Sequence, residues 1–392
     1  MLAPFDILDF ASPGATRYNN LRSSGAGNLQ FTTALGIGCE TATFSLPATG
    51  LEPSSGPLNG RFGVGHDIWI MDAKGCVWRG KVSLLRYSER SRSWYVEAHG
   101  YGKDLGGALD DVVNARNTAT SALIGTSAIT ALTTMIDDTD ITTGSYTVSN
   151  TGDVLLPVMT AARIIAWAGR FDIDPEWYVY PEDDGTRLFT YRPRPAAPTI
   201  YLYTSSFPDA EWGFEDEPLY NTVLVHYNRG GTLATPTYSF ATDTDTALEA
   251  RYGVLPLAIR MWELVASADA DQVVASALSG AKYPRMSATS LRTVARSATI
   301  DGREPDIFIA SRLGSATERI APHRLRAGEL MSFLDVEAQE EAANTDFNKV
   351  ARISRTTYIE DTQELIIEPE NFGNTVQSIA RRYEAMALGF VD

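Results

Sequence analysis

Cysteine, lysine and histidine are scarce in this chain of 392 residues, and each scarcity removes a class of chemistry. The two cysteines, Cys39 and Cys76, sit in strand-like surroundings without a Cys-x-x-Cys pair, so reduced, buried thiols are expected and no metal site. The four histidines, His66, His99, His226 and His323, stand singly, and none belongs to the His-Glu-x-x-His spacing that sets two ligands on one helical face. There is no Gly-x-Ser-x-Gly elbow for a nucleophilic serine, and no glycine-rich loop ending in Lys-Ser or Lys-Thr for a nucleotide phosphate. Gly36-Ile37-Gly38 is too short for a dinucleotide fingerprint and lies in a strand pattern, not at a helix start. No run approaches the ~20 apolar residues of a membrane helix, and no early stretch has the basic and apolar regions of a signal peptide. A soluble protein made in a cytoplasm is expected.

Basic residues number 33 against 49 acidic ones, a net charge of −16. That balance argues against a sequence-independent grip on phosphate backbones, but it permits an acidic surface that DNA passes without sticking. Of the basic residues 28 are arginine and five lysine, a skew that GC-rich coding explains without a site. The length exceeds the roughly 250 to 300 residues at which single cores stop growing, so two or more domains are expected.

What is present is β-patterning. In 75–105, Trp78, Gly80, Val82 and Leu84 share one face of a strand while Arg79, Lys81 and Ser83 share the other. After the turn Ser88–Ser93, Trp94, Val96 and Ala98 point inward and Tyr95, Glu97 and His99 outward. Ile68 and Ile70 alternate with Trp69 and Met71 upstream, which makes the stretch a three-stranded meander, and Gly100 and Gly102 let the chain leave it sharply.

Beyond residue 111, Val158, Ala161, Ile165 and Ala168 fall at helical spacing after Asp153 and Pro157. A second hairpin pairs 177–180 with 187–191 around Asp184-Gly185. Strand 220–227 follows, then a helix over Ala270, Val273, Val274, Ala277, Leu278 and Ala281 with Asp269 and Gln272 as a capping pair. The tail returns to strands at 349–358 and 364–368. A weak repeat runs through these elements: Gly65-His66-Asp67-Ile68, Lys81-Val82, a hairpin and Tyr101-Gly102 match Gly328-Glu329-Leu330-Met331, Lys349-Val350, a hairpin and Phe372-Gly373.

The acidic clusters read as turns. Asp137, Asp138 and Asp140 resemble the start of a calcium loop, but Thr143 stands where its sixth-position glycine belongs and no twelfth-position Glu follows. Asp243 and Asp245, and Glu182-Asp183-Asp184, read the same way. A glycosidase needs two carboxylates across a cleft, and nothing singles out such a pair. No catalytic, cofactor-binding or metal-ligating residue is assigned, and no cofactor is expected.

Val77-Trp78-Arg79-Gly80-Lys81-Val82, running to Gly100-Tyr101-Gly102, resembles the end of the first barrel in tail-hub proteins of long-tailed bacteriophages, also called baseplate hub or tail-tip proteins. Asn221-Thr222-Val223-Leu224-Val225 resembles the entry to their second barrel, and Arg251-Tyr252-Gly253 with the Ala-rich helix and Tyr283-Pro284 their middle segment. Arg326-Ala327-Gly328-Glu329-Leu330, the final hairpin and the helix-like Val376 to Ala387 resemble their closing strands. The resemblance implies a mainly β fold with α+β segments: two small antiparallel β-barrels in tandem joined by α/β segments. It divides the chain into a first barrel hub domain at 1–110, an α/β connecting domain at 111–205 and 241–299, and a second barrel hub domain with a C-terminal helix at 206–240 and 300–392.

The same resemblance implies a non-enzymatic structural hub in the virion, at the tail tip: a homotrimeric ring that adapts a sixfold tail tube to a threefold tip and surrounds the DNA exit channel. Its partners are two further copies of itself, a distal tail or tube-end protein, and a spike, fibre or tape-measure protein, with DNA passing without sequence-specific binding. Two rival readings stand beside it, a tail-tip cell-wall hydrolase and a host-surface glycan-binding module using Trp94, Tyr95 and Tyr101, of which Tyr95 and Tyr101 could instead pack against a neighbouring chain.

Overall fold

The computed structural model describes residues 5–48, 62–106, 176–192, 198–203, 220–231, 236–264, 267–280, 317–333 and 350–370, with short segments at 112–113, 125–126, 141–146, 154–155, 159–160, 165, 207, 212–215, 285–288, 291–292 and 307–310. The fold is mainly β. Seven strands come first: β1 (Asp6–Phe10), β2 (Tyr18–Asn20), β3 (Gly27–Ala34), β4 (Gly38–Pro47), β5 (Asp67–Asp72), β6 (Gly75–Ser88) and β7 (Ser93–Gly100), then a short helix α1 (Gly102–Gly106). They hydrogen-bond in the order β2-β1-β5-β6-β7-β4-β3, every pair antiparallel.

The meander forms as its alternation predicts, with two departures. Arg79, expected on the open face, is buried together with Asp67, and its guanidinium takes the carboxylate through Nε at 3.1 Å and Nη2 at 2.5 Å. Alternation places a residue on a face but does not say whether that face is covered. The second departure is a β-bulge at Ser83: Val82 pairs with Ala98, but Leu84 pairs with Glu97. One extra residue swaps the faces beyond it, so Leu85, not Leu84, packs against the core. Trp94, Val96 and Ala98 face inward as expected.

The second half supplies β8 (Glu176–Pro181), β9 (Arg187–Arg192), β10 (Ile200–Leu202), β11 (Trp212–Glu215), β12 (Thr222–Gly231), β13 (Pro236–Thr244), helix α2 (Thr246–Tyr252), β14 (Pro256–Leu264) and helix α3 (Ser267–Gly280). It ends with β15 (Arg285–Ala288), β16 (Leu291–Arg292), β17 (Leu330–Phe333), β18 (Val350–Ile359) and β19 (Glu364–Pro369). Helix α3 buries Ala270, Val273, Val274 and Leu278 as its spacing predicts, but it starts at Ser267, so Asp269 falls inside its first turn and not before it. Where a helix was expected from Asp153 and Pro157 onward, 154–155 and 159–160 are short strands paired with 125–126 and 112–113; Ile165 is helical and buried. The expected helix at 376–387 lies outside the described residues, as do 1–4, 49–61 and 127–140.

The repeat is written in the backbone. Gly65 (φ +89) donates its N–H to Val82 O at 2.8 Å while Val82 N–H returns to His66 O; Gly328 (φ +92) donates to Ile353 O at 2.8 Å while Ile353 N–H returns to Glu329 O. The match is therefore Lys81-Val82 with Arg352-Ile353, three residues on from the expected Lys349-Val350. From there one constant shift carries the first hairpin onto the second. The bulge between Val82 and Leu84 recurs between Ile353 and Arg355, and Ser83 and Ser354 each donate a hydroxyl to the carbonyl of a glutamate, Glu97 or Glu368. Arg92 (φ +48) and Gln363 (φ +56) close the two hairpins in the same left-handed conformation. Among the described residues the two repeats differ in the length of the connection before the hairpin: Ala73-Lys74 between β5 and β6, residues 334–349 between β17 and β18.

The two halves share one sheet. On its far side β18 pairs with β19, and with β3 it runs antiparallel from Arg355↔Ala34 to Ile359↔Gln30. Across this joint Thr33 and Thr356 hydroxyls meet at 2.6 Å and Tyr358 packs on Phe31 with ring centroids 5.5 Å apart. Among the described residues these ladders do not close into barrels, which departs from the tandem barrels expected. Beneath the joint lies the main core around Trp78, whose Nε1 donates to Thr32 O at 3.2 Å.

Because Asp67 and Arg79 are both out of water, removing one leaves a buried charge without a counterion. Arg79→Met is expected to destabilise the chain by about 3–5 kcal/mol in denaturant unfolding, and the double replacement Asp67→Leu with Arg79→Met to recover most of that loss.

Candidate assembly surface

The groups with catalytic potential are taken up by structure. His66 Nδ1 bonds Asp9 at 2.8 Å, tying β1 to the loop before β5, and burial raises the Asp9 carboxyl against the hydrogen bonds from His66 and Asn19. His99 Nε2 meets Glu97 at 2.9 Å on an exposed strand face. His323 Nε2 and Arg324 Nε reach Asp72 at 2.8 and 2.7 Å, and Arg324 also holds Asp183. Burial alone would raise the Asp72 carboxyl, but hydrogen bonds from Arg324 and His323 outweigh it and hold the group well below the usual carboxylate range. Cys39 and Cys76 are buried free thiols, and burial pushes Cys39 up to about 11.

The acidic clusters likewise have local explanations. Asp245 caps α2, accepting from the N–H groups of Ala247 and Leu248, and Asp243 accepts from Thr244 N–H. Asp184 accepts from Thr186 N–H within the β8–β9 turn. Asp137, Asp138 and Asp140 lie outside the described residues, while Thr143 sits in a strand, Thr142–Tyr146, parallel to β9. Among the described residues no group of three or more His, Cys, Asp or Glu side chains could hold a metal.

The glycan platform does not assemble. Tyr101 is buried, its hydroxyl donating to Asp67 at 3.0 Å and its ring under the guanidinium of Arg187. It therefore cannot pack against a neighbouring chain as sequence reading allowed. Trp94 turns to the core and Tyr95 to solvent, so the two share no face.

What the described surface does offer is exposed apolar area and strand edges. The β12–β13–β14 sheet buries Val223, Val225, Tyr227 and Ala241 in the core cluster that holds α3. Period-two alternation then sends Leu224, His226, Tyr238 and Phe240 to the other face, where the His226 and Phe240 rings stack at 4.7 Å and Phe240 is 63% exposed. A ladder of this kind on a single chain is a contact surface in waiting. Tyr87 and Tyr95 are also exposed, on opposite faces of the β6–β7 hairpin, since Tyr87 stands across from Trp94 and Tyr95 across from Arg86. The ladder had no motif to mark it; the alternation in 222–227 indicated two faces but not which one α3 would take.

No protein-family model matches the sequence, and neither does any curated protein. Solved structures do match, over nearly the whole length of both chains. The crystal structure of prophage tail protein gp18 from Listeria monocytogenes EGD-e is 11% identical, with a TM-score of 0.54 over 97% of this chain and 99% of that one. The 43 kDa tail protein of prophage MuSo2 from Shewanella oneidensis is 11% identical, with a TM-score of 0.54 over 94% and 98%. A tail protein from Neisseria meningitidis MC58 is 10% identical, with a TM-score of 0.51 over 94% and 97%. The chain has the fold of prophage tail proteins, as the ordered motifs predicted.

The Asp72 cluster gives a pH signature. A carboxyl depressed in the folded state contributes stability above its unfolded value near ~3.9, and that contribution is lost as pH falls through the folded one. Asp72→Asn is expected to cost about 1–3 kcal/mol at pH 7. The gap in melting temperature between parent and variant should shrink as the pH is lowered from 7 to 3; a constant gap would show that Asp72 acts through packing alone.

Proposed function

We propose that the chain is a structural, non-enzymatic subunit of a phage-type tail, placed in the virion at the tail tip as a hub. In this reading three copies form a ring in which the two repeats of each act as six similar barrel-like lobes, so that a sixfold tube meets one side and a threefold tip the other. The observation that carries it is the backbone-level duplication, bulge for bulge, in a chain with the fold of prophage tail proteins. Duplication is what reconciles three chains with six contacts. The other copies, a tube-end protein and a spike, fibre or tape-measure protein are the partners this implies. An acidic chain of net charge −16 suits a channel wall from which DNA must leave without binding.

Negative-stain imaging and mass photometry of the purified chain over a range of concentrations test the proposal, with threefold rings of six lobes as the expected result. Clearing of peptidoglycan in a zymogram by the same preparation would favour the hydrolase instead.

A further inference from the structure

Resting on the hub reading, we propose that copies join head to tail through two strand edges that no other described strand of the chain covers: the distal half of β6, Leu84–Ser88, in one copy and β11, Trp212–Glu215, in the next. The contact repeats between chains the joint that β18 and β3 already make within one.

The argument is one of equivalence. Strand β6 is matched by β18, residue by residue, through the bulge at Ser83 and Ser354 and the hairpin ends Ser88↔Ser93 and Ile359↔Glu364. In both, the hairpin partner covers one edge along the strand, β7 or β19, and the preceding strand covers the start of the other edge, β5 or β17. Past the bulge the two part company. The edge Arg355–Ile359 of β18 is filled by β3, whereas no described strand pairs with the same edge of β6.

The side chains follow. Tyr358 is 6% exposed, seated against Phe31 and Phe5, and its equivalent Tyr87 is 40% exposed. The same residue type stands in the same place, covered in one repeat and uncovered in the other.

The complementary edge is found by the same step. Strand β3 lies beside β4, which pairs with β7; β16 pairs with β19 as β4 does with β7, and β15 just precedes β16 in the chain. The strand on β15 is β11, antiparallel, with Glu215↔Arg285 ending the ladder as Ala34↔Gly38 does in the first repeat. Among the described residues β11 has no second neighbour. Counting along the two strands from Glu215 and Ala34 puts Trp212 at the position of Phe31 and Phe214 at that of Thr33; the bulge in β4 between the partners of Thr33 and Thr32 has no counterpart in β15. The joint between copies then pairs Tyr87 with Trp212 and Leu85 with Phe214, where the internal one pairs Tyr358 with Phe31 and Thr356 with Thr33.

Two different edges meeting make a heterologous contact, the type that generates rings when the rotation closes. In that contact Tyr87 gains the cross-strand cover that its equivalent Tyr358 already has within the chain.

The test uses the full chain carrying Tyr87→Cys and Trp212→Cys together, oxidised and run without reductant, with each single variant as control. The double variant is expected to give disulfide-linked species of two and three chains, and the singles none beyond background. Tyr87→Asp, at an exposed position and checked for an unchanged melting curve, is expected to weaken self-association by roughly tenfold or more. Rings that form without the crosslink and survive Tyr87→Asp would overturn these edges and leave the hub reading standing. A chain that stays single at every concentration and never crosslinks overturns both.

Discussion

One buried guanidinium organises the first half of this protein. Arg79 neutralises Asp67 on the neighbouring strand, donates through Nη1 to the carbonyl of Gly185 in the β8–β9 turn at 2.5 Å, and lies over the Trp69 ring at 4.2 Å. The turn it reaches has no room to move: Gly185 is at φ +86, and a side chain there would run into the Trp69 ring. Tyr101, at the exit from the meander, bonds the same carboxylate. A charge pair out of water is stable only with its remaining hydrogen bonds made, so these distant pieces of chain are held to one arrangement.

Around that centre the hairpins stack by close backbone contact. Gly75 (φ +140) lies against Asp183, whose carbonyl accepts Cys76 N–H, and Gly38 lies against Val179 where β4 meets β8. Arg324 and His323 then clamp both turns through Asp72 and Asp183. Gly36-Ile37-Gly38, too short along the chain for a nucleotide motif, has a different use in space: its last glycine is a landing place for another strand.

Much of this was legible from alternation and turn chemistry. The meander, the 176–192 hairpin, α3 and the closing hairpin form where their patterns put them, because local period and turn residues decide those elements. The β-bulge at Ser83 was not legible, since an inserted residue leaves the composition of the strand unchanged and only its pairing altered. Nor was the joint between Thr33 and Thr356, which depends on residues 323 apart in the chain and on hydroxyls that look like surface groups. The exposed ladder of Leu224, His226, Tyr238 and Phe240 could be placed on one face, but its exposure follows from where α3 docks, a long-range outcome. The repeat was visible as an order of elements, and its register came out three residues adrift because bulges and hydrogen-bonded glycines, not matching letters, set the equivalence.

The unequal connections before the two hairpins have a consequence for any larger object built from this chain. Two residues, Ala73-Lys74, make a tight corner at the entrance to one hairpin, while sixteen residues of sequence, 334–349, separate the same two strands in its twin. Lobes alike in their strands would therefore alternate, short corner and long, around a circle. A neighbour touching only the strands would find six near-identical seats, whereas one that reached the corners would find three of one sort and three of another. The polypeptide would then carry both parities at once, with the choice between them decided by how far along the corner a partner reaches.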